Sequence, residues 1–210
     1  MKQRNIVLLI AGVIAALCNF NVATAQQFPP HPSDPGATAL GSFWVTVDLS
    51  TGKGSSLAAD DDDEKPCRVM FEVIFYRTSN NRTDYVVNTG SIRAVGDCAG
   101  VIDNIPTGQL FGMLSQVAVA QGVANGYTVC GPSCSTPTIT KTYQSLCVTR
   151  TGSGNATHFE SCDVAAWCEK EYAVCCPPGA SGPSITLIGT TMTGSCGIGP
   201  NGTPCQTTCQ

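Results

Sequence analysis

Apolar and polar residues alternate along two stretches in the first half of the chain. The alternation is strongest in residues 67–78 and is also present in residues 42–49. The apolar side chains on one face of the longer stretch are Val69, Phe71, Val73 and Phe75. Since successive side chains of a strand point to opposite faces, this period of two predicts two β-strands that each bury one face.

Turn-forming residues and short apolar runs extend this β region. Residues 79–82 read Ser-Asn-Asn-Arg, a composition that favours a chain reversal, and residues 83–88 and 91–95 then suit two shorter strands. Consecutive strands that are joined by tight turns pair in antiparallel fashion. We therefore expect an antiparallel meander that ends near Cys98.

The period changes to about 3.6 residues in residues 107–121. Large side chains recur there at three- and four-residue steps, namely Leu110, Met113, Leu114, Val117 and Gln121. Pro106 precedes the stretch, and Gly122 or Gly126 is placed to end it. The pattern predicts one amphipathic helix that covers a face of the sheet.

The second half of the chain alternates less regularly. Strand candidates lie at residues 138–149, 167–176 and 184–195, separated by turns that contain Gly and Pro. Residues 167–175 also suit a short helix capped by Asp163, because length and alternation do not separate the two. The resulting fold class is α+β and mainly β: an antiparallel sheet covered by one amphipathic helix, followed by a disulfide-stapled C-terminal β region.

The N-terminus has the layout of a secretory signal peptide. Lys2 and Arg4 precede an apolar run over residues 6–17. Ala23 and Ala25 then form the small-residue pattern that signal peptidase accepts. The sequence therefore predicts a protein that is secreted, held at the cell surface or periplasmic.

The expected cleavage point lies before Gln26. The apolar run of about 12 residues is too short for a hydrocarbon core that needs about 20, so we expect no transmembrane segment after cleavage. The alternative is a bacterial lipid anchor on Cys18, which the bulky Leu17 before it disfavours.

Removal of the predicted signal peptide, residues 1–25, leaves three parts. Residues 26–41 contain four prolines, which favour extended conformations, and we expect a loose Pro-rich arm there. Residues 42–126 hold the predicted sheet and helix. Residues 127–210 hold the cysteine-rich β region, which either stands apart or continues the same sheet.

The charge and composition of the chain argue against binding to nucleic acids or anionic membranes. The chain has 11 basic and 15 acidic residues and a formal net charge of −4, and the loss of Lys2 and Arg4 makes it more acidic. Proteins bind nucleic acids and anionic membranes through clustered Lys and Arg, so we predict no nucleic-acid partner. Charged residues make up only 12% of the chain, which is typical of a crosslinked extracellular β protein.

An even number of cysteines follows the predicted leader, which favours disulfides because exported thiols are oxidised. The candidates are Cys67, Cys98, Cys130, Cys134, Cys147, Cys162, Cys168, Cys175, Cys176, Cys196, Cys205 and Cys209. Cys67 and Cys98 are alone in the first half, so we expect them to pair. Successive strand residues point to opposite faces, so Cys175 and Cys176 should reach different partners.

Two patterns have an alternative interpretation as metal sites. The Cys-x-x-x-Cys spacings at residues 130–134 and 205–209 resemble halves of a zinc site, but export favours disulfides there. A run of carboxylates offers oxygen ligands for calcium, yet contiguous residues point their oxygens apart. The run consists of Asp60, Asp61, Asp62, Asp63 and Glu64. We interpret it as a solvated loop and predict neither a metal nor a cofactor.

No group of residues has the spacing of a known catalytic site. His158 lies two residues before Glu160, but a histidine base normally serves a nucleophile, and Ser153 lacks the Gly-x-Ser-x-Gly setting. Asp97 and Asp103 stay open as a general acid and base. We predict no catalytic residue.

These patterns favour a secreted or surface-associated, non-enzymatic protein that binds a partner or forms part of an extracellular structure. The expected partner is an extracellular protein or a surface component. The alternative is an exported hydrolase with a site assembled from scattered Asp, Glu and His158. A third interpretation is an inhibitor or toxin-like module built on the C-terminal disulfides. Convergence of His158 and two carboxylates in one pocket would favour the hydrolase.

The leader generates a direct prediction. Protein isolated from the cells that produce it should begin at Gln26 and carry no lipid, because the small-residue pattern places cleavage there. Intact mass spectrometry measures both properties at once. A mass that fits a diacylated Cys18 start would show that the lipid alternative is correct.

Overall fold

The computed structural model describes residues 28–49, 54–55, 66–180, 182–199 and 202–209. The predicted leader with Cys18 and the acidic run at residues 60–64 lie outside the described residues. The elements, in chain order, are β1 (Thr38–Asp48), β2 (Gly54–Ser55), β3 (Arg68–Arg77), β4 (Thr83–Val87), β5 (Arg93–Val95), α1 (Thr107–Ala124), β6 (Thr138–Ser145), β7 (Cys147–Thr151), β8 (His158–Ser161), β9 (Trp167–Cys175), β10 (Ser184–Thr193) and β11 (Gln206–Thr207).

The strands form two sheets among the described residues. The larger has eight strands in the order β10-β9-β6-β4-β3-β1-β2, with β5 also paired to β3, and the smaller has the order β11-β7-β8. Their pairs are antiparallel except for β4 with β6, which are parallel. The larger sheet is therefore mixed, where the sequence predicts an antiparallel one. Helix α1 lies in the long connection between β4 and β6, and such a connection lets two neighbouring strands run in the same direction.

Strands from the second half of the chain belong to the larger sheet. β6 pairs with β4 on one side and β9 on the other, and β10 follows β9. Residues 167–175, for which the sequence also allowed a short helix, form strand β9, because hydrogen-bonded strands flank them on both sides. The larger sheet therefore contains strands from both sides of residue 127, where the predicted cysteine-rich region begins.

The predicted strand at residues 138–149 is divided at Leu146. β6 lies in the larger sheet and β7 in the smaller one. The Leu146 amide donates to the Ala166 carbonyl (2.9 Å), and the Leu146 carbonyl accepts from the Thr208 amide (2.9 Å). Leu146 is therefore a buried corner at which the chain passes from one sheet to the other. Residues 138–149 contain neither glycine nor proline, so no signal in the sequence marks that corner.

The main core lies between the larger sheet and α1. The alternating face predicted from residues 67–78 is buried there, as are Val45 and Val47 of β1. From the helix, Leu110, Phe111 and Leu114 are fully buried. Val148 of β7 and Phe159 of β8 join the same core, so the smaller sheet also contacts it. Burial of the apolar residues of α1 against both sheets supplies the main apolar contact of the fold.

Helix α1 is buried over more of its surface than a covering helix requires. Its most exposed residues are Gln109, Gln116 and Ala124, and the other positions are buried or half-buried. Such a distribution is typical of a helix that contacts protein on several sides. The period predicted the helix correctly, but it did not predict the second sheet beside it.

Six disulfides connect the twelve cysteines of the described residues. They join Cys67 to Cys98, Cys130 to Cys176, Cys134 to Cys175, Cys147 to Cys196, Cys162 to Cys205 and Cys168 to Cys209. The loops that they close range from 31 to 49 residues in sequence separation. Each crosslink restricts the unfolded chain and contributes roughly 2–4 kcal/mol, so five of the six stabilise the C-terminal half.

One glycine of α1 is required by close packing. A Cβ on Gly122 would overlap the phenol of Tyr85, a buried residue of β4 whose hydroxyl bonds the Thr128 hydroxyl at 2.6 Å. We expect Gly122→Ala to lower the free energy of unfolding by roughly 1–3 kcal/mol through overpacking. Urea denaturation followed by circular dichroism measures this change.

The matched control lies in the same helix. A Cβ on Gly112 would meet only the flexible end of Lys170, with its Nζ at 3.4 Å. Gly112→Ala should therefore be neutral or stabilise the fold by up to about 1 kcal/mol, because Ala favours helix over Gly. Equal losses in the two variants would mean that the contact of α1 with Tyr85 is not as described.

Candidate functional site

The histidine singled out from the sequence lies on the surface of the smaller sheet. His158 begins β8, where it pairs with Thr151 of β7, and it is exposed, as is Glu160. Within the described part of the chain, no hydrogen bond or ion pair fixes the orientation of its ring. A general base requires an oriented ring beside a nucleophile, and the surroundings of His158 do not supply the geometry that the hydrolase alternative needs.

Asp97 and Asp103 line one open pocket of about 380 Å³ together with Ser153 and Asn155, and His158 is not among the lining residues. The Asp103 carboxylate accepts from the Gly154 amide (3.1 and 3.2 Å). The structure therefore brings the two carboxylates to the same pocket without the histidine.

The polar groups of this pocket hold two loops together. Asp103 lies 3.6 Å from the Arg150 guanidinium. The Asn155 side chain donates to the Gly96 carbonyl (2.6 Å) and accepts from the Cys98 amide (3.2 Å). Because these bonds fasten the loop after β7 to the loop after β5, the arrangement is that of a structural clamp.

The segment of residues 28–37 docks on the face of the larger sheet opposite α1, where the sequence predicts a loose arm. His31 is only 6% exposed, and its ring contacts Tyr76 and Tyr143 edge-on at 5.2 and 4.6 Å between centroids. The Tyr76 hydroxyl donates to the Pro29 carbonyl (2.6 Å). The prolines keep the segment extended, and these aromatic and hydrogen-bond contacts fix it to the sheet.

Asp84 of β4 lies beneath this segment with no exposed side-chain surface. Its carboxylate accepts two hydrogen bonds from Arg82, from Nε (2.6 Å) and from Nη2 (2.8 Å). The Nδ1 of His31 accepts from the amides of Ser33 and Asp34, so its proton lies on Nε2, which is 3.5 Å from Asp84 Oδ2. The carboxylate thus joins the strand to the docked segment.

The pKa of Asp84 is set by opposing effects. Burial raises the pKa of this carboxyl, but the Arg82 hydrogen bonds and charge and the His31 contact lower it by more, so it lies below 3.8. The charged carboxylate is the form that these donors stabilise. Sequence reasoning missed the site because His31 was placed in a loose arm, although a charged residue within the apolar strand at residues 83–88 was a usable signal.

A second buried polar group lies between the sheet and the helix. Lys170 of β9 is 1% exposed, and burial lowers the pKa of its ammonium group. Nearby in the same layer, Ser115 of α1 donates to Gln144 of β6 (2.5 Å), and Gln144 donates to the Thr208 carbonyl (3.0 Å). The layer lies in the interior, so it specifies how the helix and the sheet pack.

Trp167 borders two small pockets on the face opposite α1. One, of about 200 Å³, is lined mainly by apolar residues that include Pro29, Ile74 and Val164. The other, of about 230 Å³, is lined by Ser33, Tyr143 and Glu169 among others. Glu169, the one carboxylate among the lining residues of that pocket, is ion-paired with Lys141.

Strand β10 is the end strand of the larger sheet in the described part of the chain. Nine of its ten residues are exposed and Ile185 is half-buried. Its sequence, Ser-Ile-Thr-Leu-Ile-Gly-Thr-Thr-Met-Thr, contains no charged residue and no proline. We call the outward side of this strand the β10 edge.

The β10 edge lacks most of the features that prevent strand pairing. Proteins protect an edge with charges, prolines, short strands, bulges or covering elements. Of these, β10 has one bulge, at Ile188, where its register with β9 shifts. Large apolar side chains are exposed along it: Leu187 by 47%, Ile188 by 51% and Met192 by 63%. The edge is therefore suited to accept another strand.

Comparison of the chain with protein-family models, with curated proteins and with solved structures found no match. Among the described residues, no three His, Cys, Asp or Glu side chains are grouped so as to hold a metal ion. Within the same ranges, no helix has both the length and the apolar character that crossing a membrane requires.

The Asp84 site predicts a pH-dependent stability. Asp84→Asn should lower the free energy of unfolding at pH 7 by roughly 1.5–3 kcal/mol, because hydrogen bonds between charged groups are lost. The folded pKa lies below the ordinary value of 3.8, so this stabilisation is present above that pH and is lost as the pH falls through the folded pKa. The difference between the two proteins should therefore shrink below about pH 4.

Urea denaturation at a series of pH values measures that difference. The matched control is Asp97→Asn, because Asp97 is exposed, and its effect should stay within about 0.5 kcal/mol. A stability difference for Asp84→Asn that did not change with pH would show that the carboxylate does not act through its charge.

Proposed function

We propose that this protein is a secreted or surface-associated, non-enzymatic protein that binds another polypeptide by strand addition at the β10 edge. The observation that carries the proposal is an exposed, uncharged edge strand of ten residues. Six disulfides support an extracellular setting, since such crosslinks persist in oxidising compartments.

Strand addition uses groups that the edge strand already presents. In an end strand, the amide and carbonyl groups on the outer side have no partner strand, and an added strand pairs with them. A ten-residue strand spans about 33 Å, enough for an extended ladder of hydrogen bonds. The exposed Leu187, Ile188 and Met192 add apolar contacts on either side of that ladder.

The rigid fold favours this mode of binding. The Cys134–Cys175 and Cys168–Cys209 disulfides involve both ends of β9, the only neighbour of β10 among the described strands. An edge that is held in place before binding loses little conformational entropy when a partner strand is added. By contrast, Asp103 and Asn155 in the pocket of about 380 Å³ are engaged in loop contacts, which does not favour the hydrolase alternative.

The proposal predicts that a charge on the edge removes binding. Labelled wild-type protein should bind to the surface of cells of the producing strain. Ile188→Lys should reduce the bound amount at least about tenfold, because a lysine on an edge strand opposes pairing and tenfold corresponds to about 1.4 kcal/mol. Flow cytometry measures the bound fraction.

The matched control is Leu40→Lys. Leu40 is 50% exposed and is the bulge residue of β1, as Ile188 is the 51% exposed bulge residue of β10. This variant should bind like the wild type, and His158→Ala should as well. Equal binding by Ile188→Lys and wild type would rule out the β10 edge as the binding surface, and a hydrolytic activity that His158→Ala removes would favour the enzyme instead.

A further inference from the structure

The charges around the β10 edge are compatible with a second copy of the same edge. In a two-fold interface each surface patch meets itself, so charged residues near the axis face their own copies. β10 has no charged residue, and the two carboxylates of β9, the half-buried Glu169 and Glu171, are ion-paired with Lys141 of β6. Self-association at this edge therefore encounters little like-charge repulsion.

The apolar residues of β10 are placed symmetrically along it. Leu187 is opposite Tyr172 of β9 and Met192 is opposite Cys168. Tyr172 and Cys168 are four residues apart on one strand, so they lie on the same face, and Leu187 and Met192 share that face. Tyr172 belongs to the core between the sheet and α1, yet Leu187 and Met192 remain 47% and 63% exposed beside it.

The midpoint between these two residues lies between Gly189 and Thr190. An antiparallel copy with its two-fold axis at that point places Leu187 opposite Met192 of the second copy, and the reverse. Cross-strand apolar pairs of this kind stabilise a sheet. The bulge residue Ile188 lies next to the axis, so the ladder of hydrogen bonds forms mainly on the two flanking segments.

We infer that the occupant of the β10 edge is a second copy of this chain, paired antiparallel about that axis. This inference rests on the proposed strand-addition function and names its partner. A foreign strand would have to reproduce both apolar positions and the absence of charge, whereas a second copy supplies them by symmetry. The two larger sheets then join into one continuous sheet across the dimer.

A charge exchange on the edge tests the inference. Sedimentation equilibrium of the purified, oxidised wild-type protein should give a dimer. The double variant Leu187→Lys with Met192→Lys places lysine opposite lysine, and the corresponding double glutamate variant places carboxylate opposite carboxylate. Each should raise the dimer dissociation constant on the order of a hundredfold, because like charges face each other. An equimolar mixture of the two should restore the dimer, since opposite charges then meet.

Each result of this experiment decides the question. Leu40→Lys should dimerise like the wild type, and circular dichroism should show that all variants keep the same fold, because the substituted residues are exposed. A monomeric wild type, a dimer unaffected by both double variants, or no recovery on mixing would overturn the inference. A monomeric wild type combined with loss of cell binding by Ile188→Lys would overturn the second copy alone and leave the proposed function in place.

Discussion

Burial of helix α1 between two sheets is the constraint on which the rest of the structure depends. The helix lies in the long connection from β4 to β6, which lets these strands run parallel. The chain then adds β9 and β10 beyond them. The apolar faces of both sheets meet the same helix, which makes a single core from elements far apart in sequence. At the end of the sheet, Ile185 of β10 packs against this core, whereas Leu187, Ile188 and Met192 remain exposed.

Disulfides and buried polar groups stabilise the parts of the fold that lie outside the apolar core around α1. Crosslinks attach the smaller sheet and the C-terminal segment to the end of the larger sheet, where apolar burial is limited. On the opposite face, Asp84 bonds Arg82 and contacts His31, which holds the N-terminal segment in place. The result is a rigid frame around an edge strand whose residues, apart from Ile185, are exposed, and this contrast is the basis of the proposed function.

The sequence predicted the elements better than their arrangement. The alternation at residues 67–78 and the helical period at residues 107–121 were confirmed as β3 and α1, because both patterns report local burial. The parallel pair, the corner at Leu146 and the docked segment at His31 were not predicted, because each depends on contacts between residues distant in the chain. The uncharged composition of β10 was visible, but its position at the end of the sheet was not.

Hydrogen–deuterium exchange of the β10 amides, measured over a range of protein concentrations, tests the central claim most directly. If the edge pairs with a second copy, amides of residues 184–193 that face away from β9 should exchange more slowly as the concentration rises. Amides of β3, which is flanked by strands on both sides, serve as an internal reference and should not change. Exchange in β10 that was fast and independent of concentration would contradict the account.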